Sequence, residues 1–298
     1  MEQSALKTVI MTGGSSGLGL ETARKIAADP AFRVVLACRN TSKAERAAAG
    51  IQAETGNANI LWMELDTASL DFVRRFTDAY VRSGLGPVHA LVCNAGISGT
   101  HTGRTADGFD IIFQTNHLGH FLLATRMLPQ MAAGGRIFAV SSDMHDPPSG
   151  KMVWPGAEAL AHPDGKLAQN RDRYSYSKLC NLYFVYELAH RLQKSGRDVY
   201  VNAFNPGLMK TNFMPLTNAS IAFVRLSMPH RLGDLEKSSA ALAELVTAEG
   251  AVTASGLYCD RSTRTCPSSE LSYNQENAAE LWTASEKYVG SETKTEKE

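Results

Sequence analysis

Short apolar runs alternate with longer amphipathic stretches along the first two-thirds of the chain. Residues 7–13 (KTVIMTG), 32–39 (FRVVLACR), 59–66 (NILWMELD), 88–96 (VHALVCNAG), 135–142 (GRIFAVSS) and 198–207 (DVYVNAFNPG) are β-rich and hydrophobic without a break. Between them lie stretches with helical periodicity, at 19–29, 43–56, 69–84, 108–131 and 174–196. Continuously apolar strands, each followed by a helix, predict a parallel sheet buried on both faces. The expected fold is therefore α/β, a doubly wound (Rossmann) sheet in a single domain over residues 1–290 with helices on both faces.

Two stretches depart from this rhythm. Residues 143–173 form a Pro/Gly-rich excursion longer than an ordinary connection, which marks a long loop with a functional role. Residues 212–233 (NFMPLTNASIAFVRLSMPHRLG) are apolar and punctuated by prolines, the composition of a substrate lid carrying Phe213, Met214, Phe223 and Met228. The last residues, 291–298, are polar and read as a disordered tail.

Composition narrows the function classes. With 44% hydrophobic and 20% charged residues the chain reads as an ordinary soluble protein. Lys+Arg and Asp+Glu balance at 30 each, so no overall field draws it to nucleic acid. No apolar run reaches the length of a membrane span, which leaves at most a peripheral membrane contact. The N-terminus lacks the layout of a secretory signal, and five scattered cysteines read most simply as reduced thiols, so a cytoplasmic location is expected. His117 and His120 in NHLGH invite a metal reading, but three-residue spacing alone does not make a site, and no metal is assigned.

Candidate chemistry concentrates in two places. The first apolar run leads into TGGSSGLG (12–19) and then a helix. Gly13, Gly17 and Gly19 permit a tight turn, and with Ser15, Ser16 and Leu18 they bring backbone N–H groups to the positive end of that helix, as phosphate binding requires. The second place is YSYSK (174–178), where Tyr174 and Lys178 lie four apart and share a helix face while Tyr176 points elsewhere. An ammonium beside a phenol is expected to lower the Tyr174 pKa and make it a usable acid or base near neutral pH.

TGGSSGLG, CNAG (93–96), Asn116 in QTNHLGHF, Ser142 in AVSSD, the Tyr174/Lys178 pair and NPGLMKT (205–211) follow one another in the order seen in short-chain dehydrogenases/reductases. The chain resembles that family over roughly residues 7–290. The resemblance implies that Tyr174 exchanges a proton with the substrate oxygen, that Ser142 (or its neighbour Ser141) positions that oxygen, and that Lys178 holds the nicotinamide ribose. It also implies that Asn116 holds a water against Lys178, unless its amide merely satisfies helix backbone groups. Asp66 would contact the adenine, or simply cap the following helix. Asn94, Ala95 and Gly96 would line the adenosine ribose and the middle of the cofactor, with Pro206, Gly207 and Thr211 at the nicotinamide amide and the phosphates.

At the end of the second strand, where an acidic residue would suit the ribose of NAD, stands Arg39, with Lys43 one helical turn on. A guanidinium there suits a 2′-phosphate, so NADP(H) is the expected cofactor. ACRNTSKAERAA, SKLCN and SSELSYNQENAAELWTASEKYVG resemble the branch containing retinol dehydrogenase-like proteins and light-dependent protochlorophyllide reductases. The leading expectation is an enzyme moving hydride between the nicotinamide and a carbonyl or alcohol of a small lipophilic or aromatic substrate. The alternatives are light-dependent reduction of a protochlorophyllide C=C bond and, from another class, a non-catalytic nucleotide-sensing regulator. Oligomeric state is left open.

Overall fold

The structure, a computed structural model, describes residues 6–148, 150–169, 172–209, 213 and 218–290. β1 (Lys7–Thr12), α1 (Gly17–Ala27), β2 (Phe32–Cys38), α2 (Thr41–Thr55), β3 (Ile60–Glu64), α3 (Leu70–Ser83) and β4 (Val88–Cys93) follow the hydropathy pattern. Local chemistry sets their ends. The Asn40 carboxamide accepts from the Lys43 N–H at 2.8 Å to start α2, and Gly56, left-handed at φ 71°, stops it.

The single helix expected over 108–131 is instead broken into pieces. α4 (Ile111–Phe113) passes into a π-turn at Gln114–Leu118, then α5 (Gly119–Met127) and a 3₁₀ turn at Leu128–Gln130. The following strand, β5 (Met131–Val140), starts four residues earlier than the apolar run predicts. Next come α6 (Ala157–Ala161), α7 (Gly165–Gln169), α8 (Arg173–Ser195), β6 (Val199–Asn205), α9 (Asn218–Ser227), α10 (Leu235–Thr247), β7 (Tyr258–Asp260) and α11 (Gln275–Val289). The sheet thus has seven strands, not six, in the order β3-β2-β1-β4-β5-β6-β7, all parallel.

Alternation along the strands explains why the runs are apolar throughout. Val9, Met11, Val34, Leu36, Ala90 and Val92 enter one core beneath α1, α2 and α10. Ile10, Val35, Leu91, Ile137 and Val201 enter the other, shared with α3, α5, α8 and α11. Both faces are buried, so every position must be apolar. Because β1 neighbours both β2 and β4, the chain winds outward from it in two directions, and a crevice opens at the carboxyl ends of these strands.

Among its described residues, the 143–173 excursion contains helical segments as well as loop. It holds α6 and α7 and is fastened to α11, where Glu280 accepts from the Trp154 indole N–H at 2.5 Å and the Ala157 N–H at 2.9 Å. Trp154 pins the excursion to the body of the fold. It stands edge-on to Tyr183 with ring centroids 5.1 Å apart. The proposed lid at 212–233 is described in part and includes α9; the tail at 291–298 lies outside the described residues. No helix among the described residues is long and apolar enough to cross a membrane.

At Gly119, where α5 begins after the π-turn, a Cβ would overlap the Thr67 carbonyl that follows β3. Gly119→Ala is expected to lower stability by about 1–3 kcal/mol through overpacking. A fall in the urea midpoint at unchanged m-value checks this.

Candidate active site

The crevice is a cavity of about 430 Å³, within the range of small-ligand sites. Its walls include Gly13, Ser15, Ser16, Gly17 and Leu18 from the first turn, and Arg39 and Lys43 beyond β2. They continue through Asp66, Asn94, Ala95 and Gly96 to Ser142, Tyr174, Lys178, Pro206 and Gly207. Phe213 and Met228 close the far end. Gly19 and Asn116 support these walls from behind and do not line them. Thr211 and Met214 lie outside the described residues, as does the side chain of Phe223.

The first turn fits a pyrophosphate. Ser16 caps α1 with no side-chain hydrogen bond to its first N–H groups, and the first turn of that helix carries no acidic residue. The positive helix end is therefore free for an anion. Gly13 holds φ 67°, and a Cβ on Gly19 would come within 2.6 Å of Asn94 Nδ2, so the turn is packed too closely for larger residues. Cys38 lines the cavity beside this turn, and burial pushes its thiol pKa up. The Thr115 hydroxyl lines the cavity and is buried without a hydrogen-bond partner. Arg39 and Lys43 are exposed at the same end, and neither forms an ion pair among the described residues. Asp66 accepts from the Ala68 N–H at 2.9 Å, while the helix cap is Ser69, which accepts from the Phe72 N–H. The capping alternative for Asp66 thus falls to Ser69.

At the other end, α8 presents Tyr174 and Lys178 on one face, as their spacing predicts. Lys178 Nζ donates to the Val140 carbonyl at 2.9 Å and lies 5.6 Å from the centre of the Tyr174 ring. Tyr176 points away and donates to the Val153 carbonyl at 3.0 Å. The serine doublet divides its work. Ser141 Oγ is buried and donates to the Lys178 carbonyl at 2.9 Å, whereas Ser142 lines the cavity and hydrogen-bonds the Tyr174 phenol.

The electrostatic expectation for Tyr174 is overturned. Burial raises its pKa well above the usual phenol value, Asp143 raises it further, and the Ser142 hydrogen bond only partly offsets them. Burial acts on Lys178 as well and lowers its own pKa to about 8.

Asn116 sits in the π-turn with its side chain fully used. Its Oδ1 accepts from the Ile97 N–H at 2.8 Å, and its Nδ2 donates to the Ile97 carbonyl and to Ser177 Oγ, each at 3.0 Å. At its backbone carbonyl His120 Nδ1 approaches to 3.2 Å. A carbonyl accepts only, so Nδ1 carries the proton, and Nε2 lies 3.0 Å from the Thr12 hydroxyl, whose one proton it shares with the Val92 carbonyl at 3.2 Å. Thr12 Oγ1 also accepts from the Asn94 and Ala95 N–H groups. His120 thus ties the ends of β1 and β4 to the π-turn, a role its sequence context did not show. His117 points elsewhere, to Ser285 Oγ at 3.0 Å.

The model describing short chain dehydrogenases matches residues 7–155. The chain belongs to the short-chain dehydrogenase/reductase family. Over 95% of its length it is 33% identical to retinol dehydrogenase 12 of Homo sapiens, covering 86% of that protein. It is 34% identical to a WW domain-containing oxidoreductase of Gallus gallus, over 95% of this chain and 68% of the other. Among solved structures, a short chain dehydrogenase from Burkholderia cenocepacia in complex with NADP superposes with a TM-score of 0.67 at 25% identity, covering 86% of this chain and 97% of that one. As a member of this family in its retinol dehydrogenase-like branch, the protein is an oxidoreductase that uses a nicotinamide cofactor.

Burial holds the His117 and His120 imidazoles down to pKa values of about 3 and about 4. The unfolded chain takes up these protons near the ordinary value of about 6.5, so the native state binds fewer and stability falls as pH drops from there. Each group contributes a slope that reaches at most about 1.4 kcal/mol per pH unit, near pH 5. His117→Gln, which removes one of them, is expected to flatten urea-midpoint loss around that pH.

Proposed function

We propose that the protein is an NADP(H)-dependent reductase or dehydrogenase that moves hydride between the nicotinamide and the carbonyl or alcohol carbon of a lipophilic substrate. The observation that carries this reading is the convergence of Ser142, Tyr174 and Lys178 at one end of the cavity whose other end is the glycine turn.

The bound nicotinamide supplies or accepts the hydride. Tyr174 gives its phenolic proton to the substrate oxygen in reduction and recovers it in oxidation. The raised pKa keeps the phenol protonated at neutral pH, which suits the donating role. Ser142 donates a hydrogen bond to the same oxygen and fixes its distance from the phenol. Lys178 has two tasks, to hold the nicotinamide ribose hydroxyls and to stabilise the phenolate as the proton leaves. Asn116, through the carbonyl that His120 orients, marks the inner end of a water-borne proton path to Lys178.

Cofactor choice is read from charge. Arg39 and Lys43 stand where an acidic residue would meet a ribose 2′-hydroxyl, and their unpaired charges suit a 2′-phosphate. The NADP held by the Burkholderia relative supports the same choice. Substrate class is read from the far wall. Phe213 lies with its ring 5.9 Å from that of Tyr174, and Met144, Val224 and Met228 continue the apolar surface. The retinol dehydrogenase relatives, named for a lipophilic alcohol, support this reading.

The test is consumption of NADPH in the dark against a panel of lipophilic aldehydes, ketones and quinones. Wild type is expected to turn over at least one of them, and Tyr174→Phe to lose at least a hundredfold in kcat, the lower range of acid–base contributions, at nearly unchanged NADPH affinity. A fully active Tyr174→Phe enzyme would rule out the mechanism. Separately, Arg39→Asp is expected to shift the NADPH/NADH ratio of kcat/KM toward NADH by about tenfold or more, the loss of one charge-assisted phosphate contact. An unmoved ratio assigns selection to another residue.

A further inference from the structure

Behind Ser142 lies an ion-pair network that the reaction as described leaves unused. Asp143 follows Ser142 directly, and Ser142 Oγ donates to Asp143 Oδ1 at 3.4 Å. The other carboxylate oxygen, Oδ2, meets Arg261 Nη1 at 3.3 Å, with both side chains about four-fifths buried, at 19% and 20% exposure. Asp143 lines the same cavity as Tyr174 and Ser142. Its charged surroundings also include Asp260, His145 and Tyr258, while Arg231 donates to its backbone carbonyl.

Arg261 is held with unusual firmness. It is the one non-glycine residue in the left-handed region among the described residues, at φ 54°, a conformation that persists only where surrounding contacts enforce it. Those contacts are visible. Its N–H donates to the Asn205 carbonyl at 2.7 Å, and its Nη2 meets Asp260 Oδ2 at 2.8 Å. Asp260 Oδ1 accepts from Asn205 Nδ2, and Asn205 Oδ1 accepts from the Gly207 N–H at 2.9 Å. Through Asp260, one guanidinium therefore joins the turn after β6, whose Pro206 and Gly207 line the cavity, to the residue that follows Ser142.

We propose that Arg261, acting through Asp143, is a positioning residue that aims the Ser142 hydroxyl at the substrate oxygen relative to the 205–207 turn. A carboxylate left without its cation would draw the Ser142 hydroxyl onto itself and away from the substrate. With Arg261 in place, Asp143 Oδ2 is engaged from behind, and the Ser142 hydroxyl keeps a long contact to Oδ1 while its oxygen accepts from the Met144 N–H at 3.2 Å. The inference rests on the reductase reading above, because it gives Ser142 a substrate oxygen to address.

Arg261→Gly is the informative variant, since glycine adopts the left-handed conformation without strain and leaves the backbone free to keep its course. With the full-length protein, NADPH and the best carbonyl of the panel, Arg261→Gly is expected to lower kcat by about tenfold, the scale of a misplaced catalytic donor. NADPH Kd is expected to stay within about twofold, as no phosphate or ribose contact is removed. The solvent deuterium isotope effect on kcat should rise, because proton transfer to a poorly held oxygen becomes slower relative to hydride transfer. A merely structural role would not move that ratio. Asp143→Asn removes the competing charge itself, so adding it to Arg261→Gly is expected to restore part of the lost rate, a non-additivity expected of coupled residues.

Wild-type kcat in Arg261→Gly would overturn the inference while leaving the reductase reading intact. Loss of NADPH affinity with kcat unchanged would also overturn it, by assigning Arg261 to bracing the 205–207 turn alone. A wild type that turns over no carbonyl would remove both readings together.

Discussion

The geometry of the site depends on a buried carboxylate, Asp110. Its Oδ1 accepts from the Ile112 and Phe113 N–H groups and starts the helical stretch that carries Asn116. Its Oδ2 pairs with Arg173, the first residue of α8, so the same side chain fixes the helix that carries Tyr174 and Lys178. Both partners are nearly inaccessible, with side chains 3% and 5% exposed. A buried pair of this kind contributes little net stability when complete, yet removing one member costs roughly 3–5 kcal/mol because the other charge is left unpaired in a medium of low polarity. Specific alignment of two helices is what such a pair provides, and here those helices hold three of the four candidate catalytic residues.

Within the site, burial dominates over pairwise charge. Tyr174 and Lys178 are both withdrawn from water, and desolvation moves their proton affinities toward the neutral forms, the phenol upward and the amine down to about 8. Their two pKa values are pushed apart, not together. At neutral pH the resting pair is therefore a protonated phenol beside a buried ammonium, and a phenolate arises only as the proton leaves. At the opposite end of the cavity the surroundings reverse, since Arg39 and Lys43 stay exposed at the surface. Anionic parts of a dinucleotide would find open cations at one end, and the reacting carbon a dry, apolar wall at the other.

Much of this was legible in the residue order. Strands buried on both faces must be apolar without alternation, so β1 to β6 announced themselves, and the glycine turn and the Tyr174/Lys178 pair could be placed on their elements from spacing alone. β7 could not, because three residues (Tyr258–Asp260) leave no period to detect. The π-turn was equally hidden, since one extra residue in a helical repeat barely alters its hydrophobic pattern. Pairwise reasoning failed for the Tyr174 pKa because four-residue spacing reports proximity and says nothing of solvent. The Asp143–Arg261 contact, spanning 118 positions, and the His120 bridge to Thr12, spanning 108, have no local signature at all. Such contacts arise where the carboxyl ends of non-adjacent stretches of chain converge, which is where parallel sheets build their sites.

The order in which the core closes has a consequence for synthesis. α11 supplies Leu281, Trp282 and Val289 to the core on one face of the sheet, and its Glu280 and Ser285 hold the 143–173 excursion and His117. As the chain leaves the ribosome, the opposite face can be completed by α1, α2 and α10, while this one keeps an uncovered strip of Phe121 and Phe184 until residue 289 has emerged. At elongation rates of about 5–20 residues per second, the earlier segments wait several seconds with that strip open to other chains. Closure of this face of the sheet therefore waits on the last helix of the fold, whereas the opposite face does not.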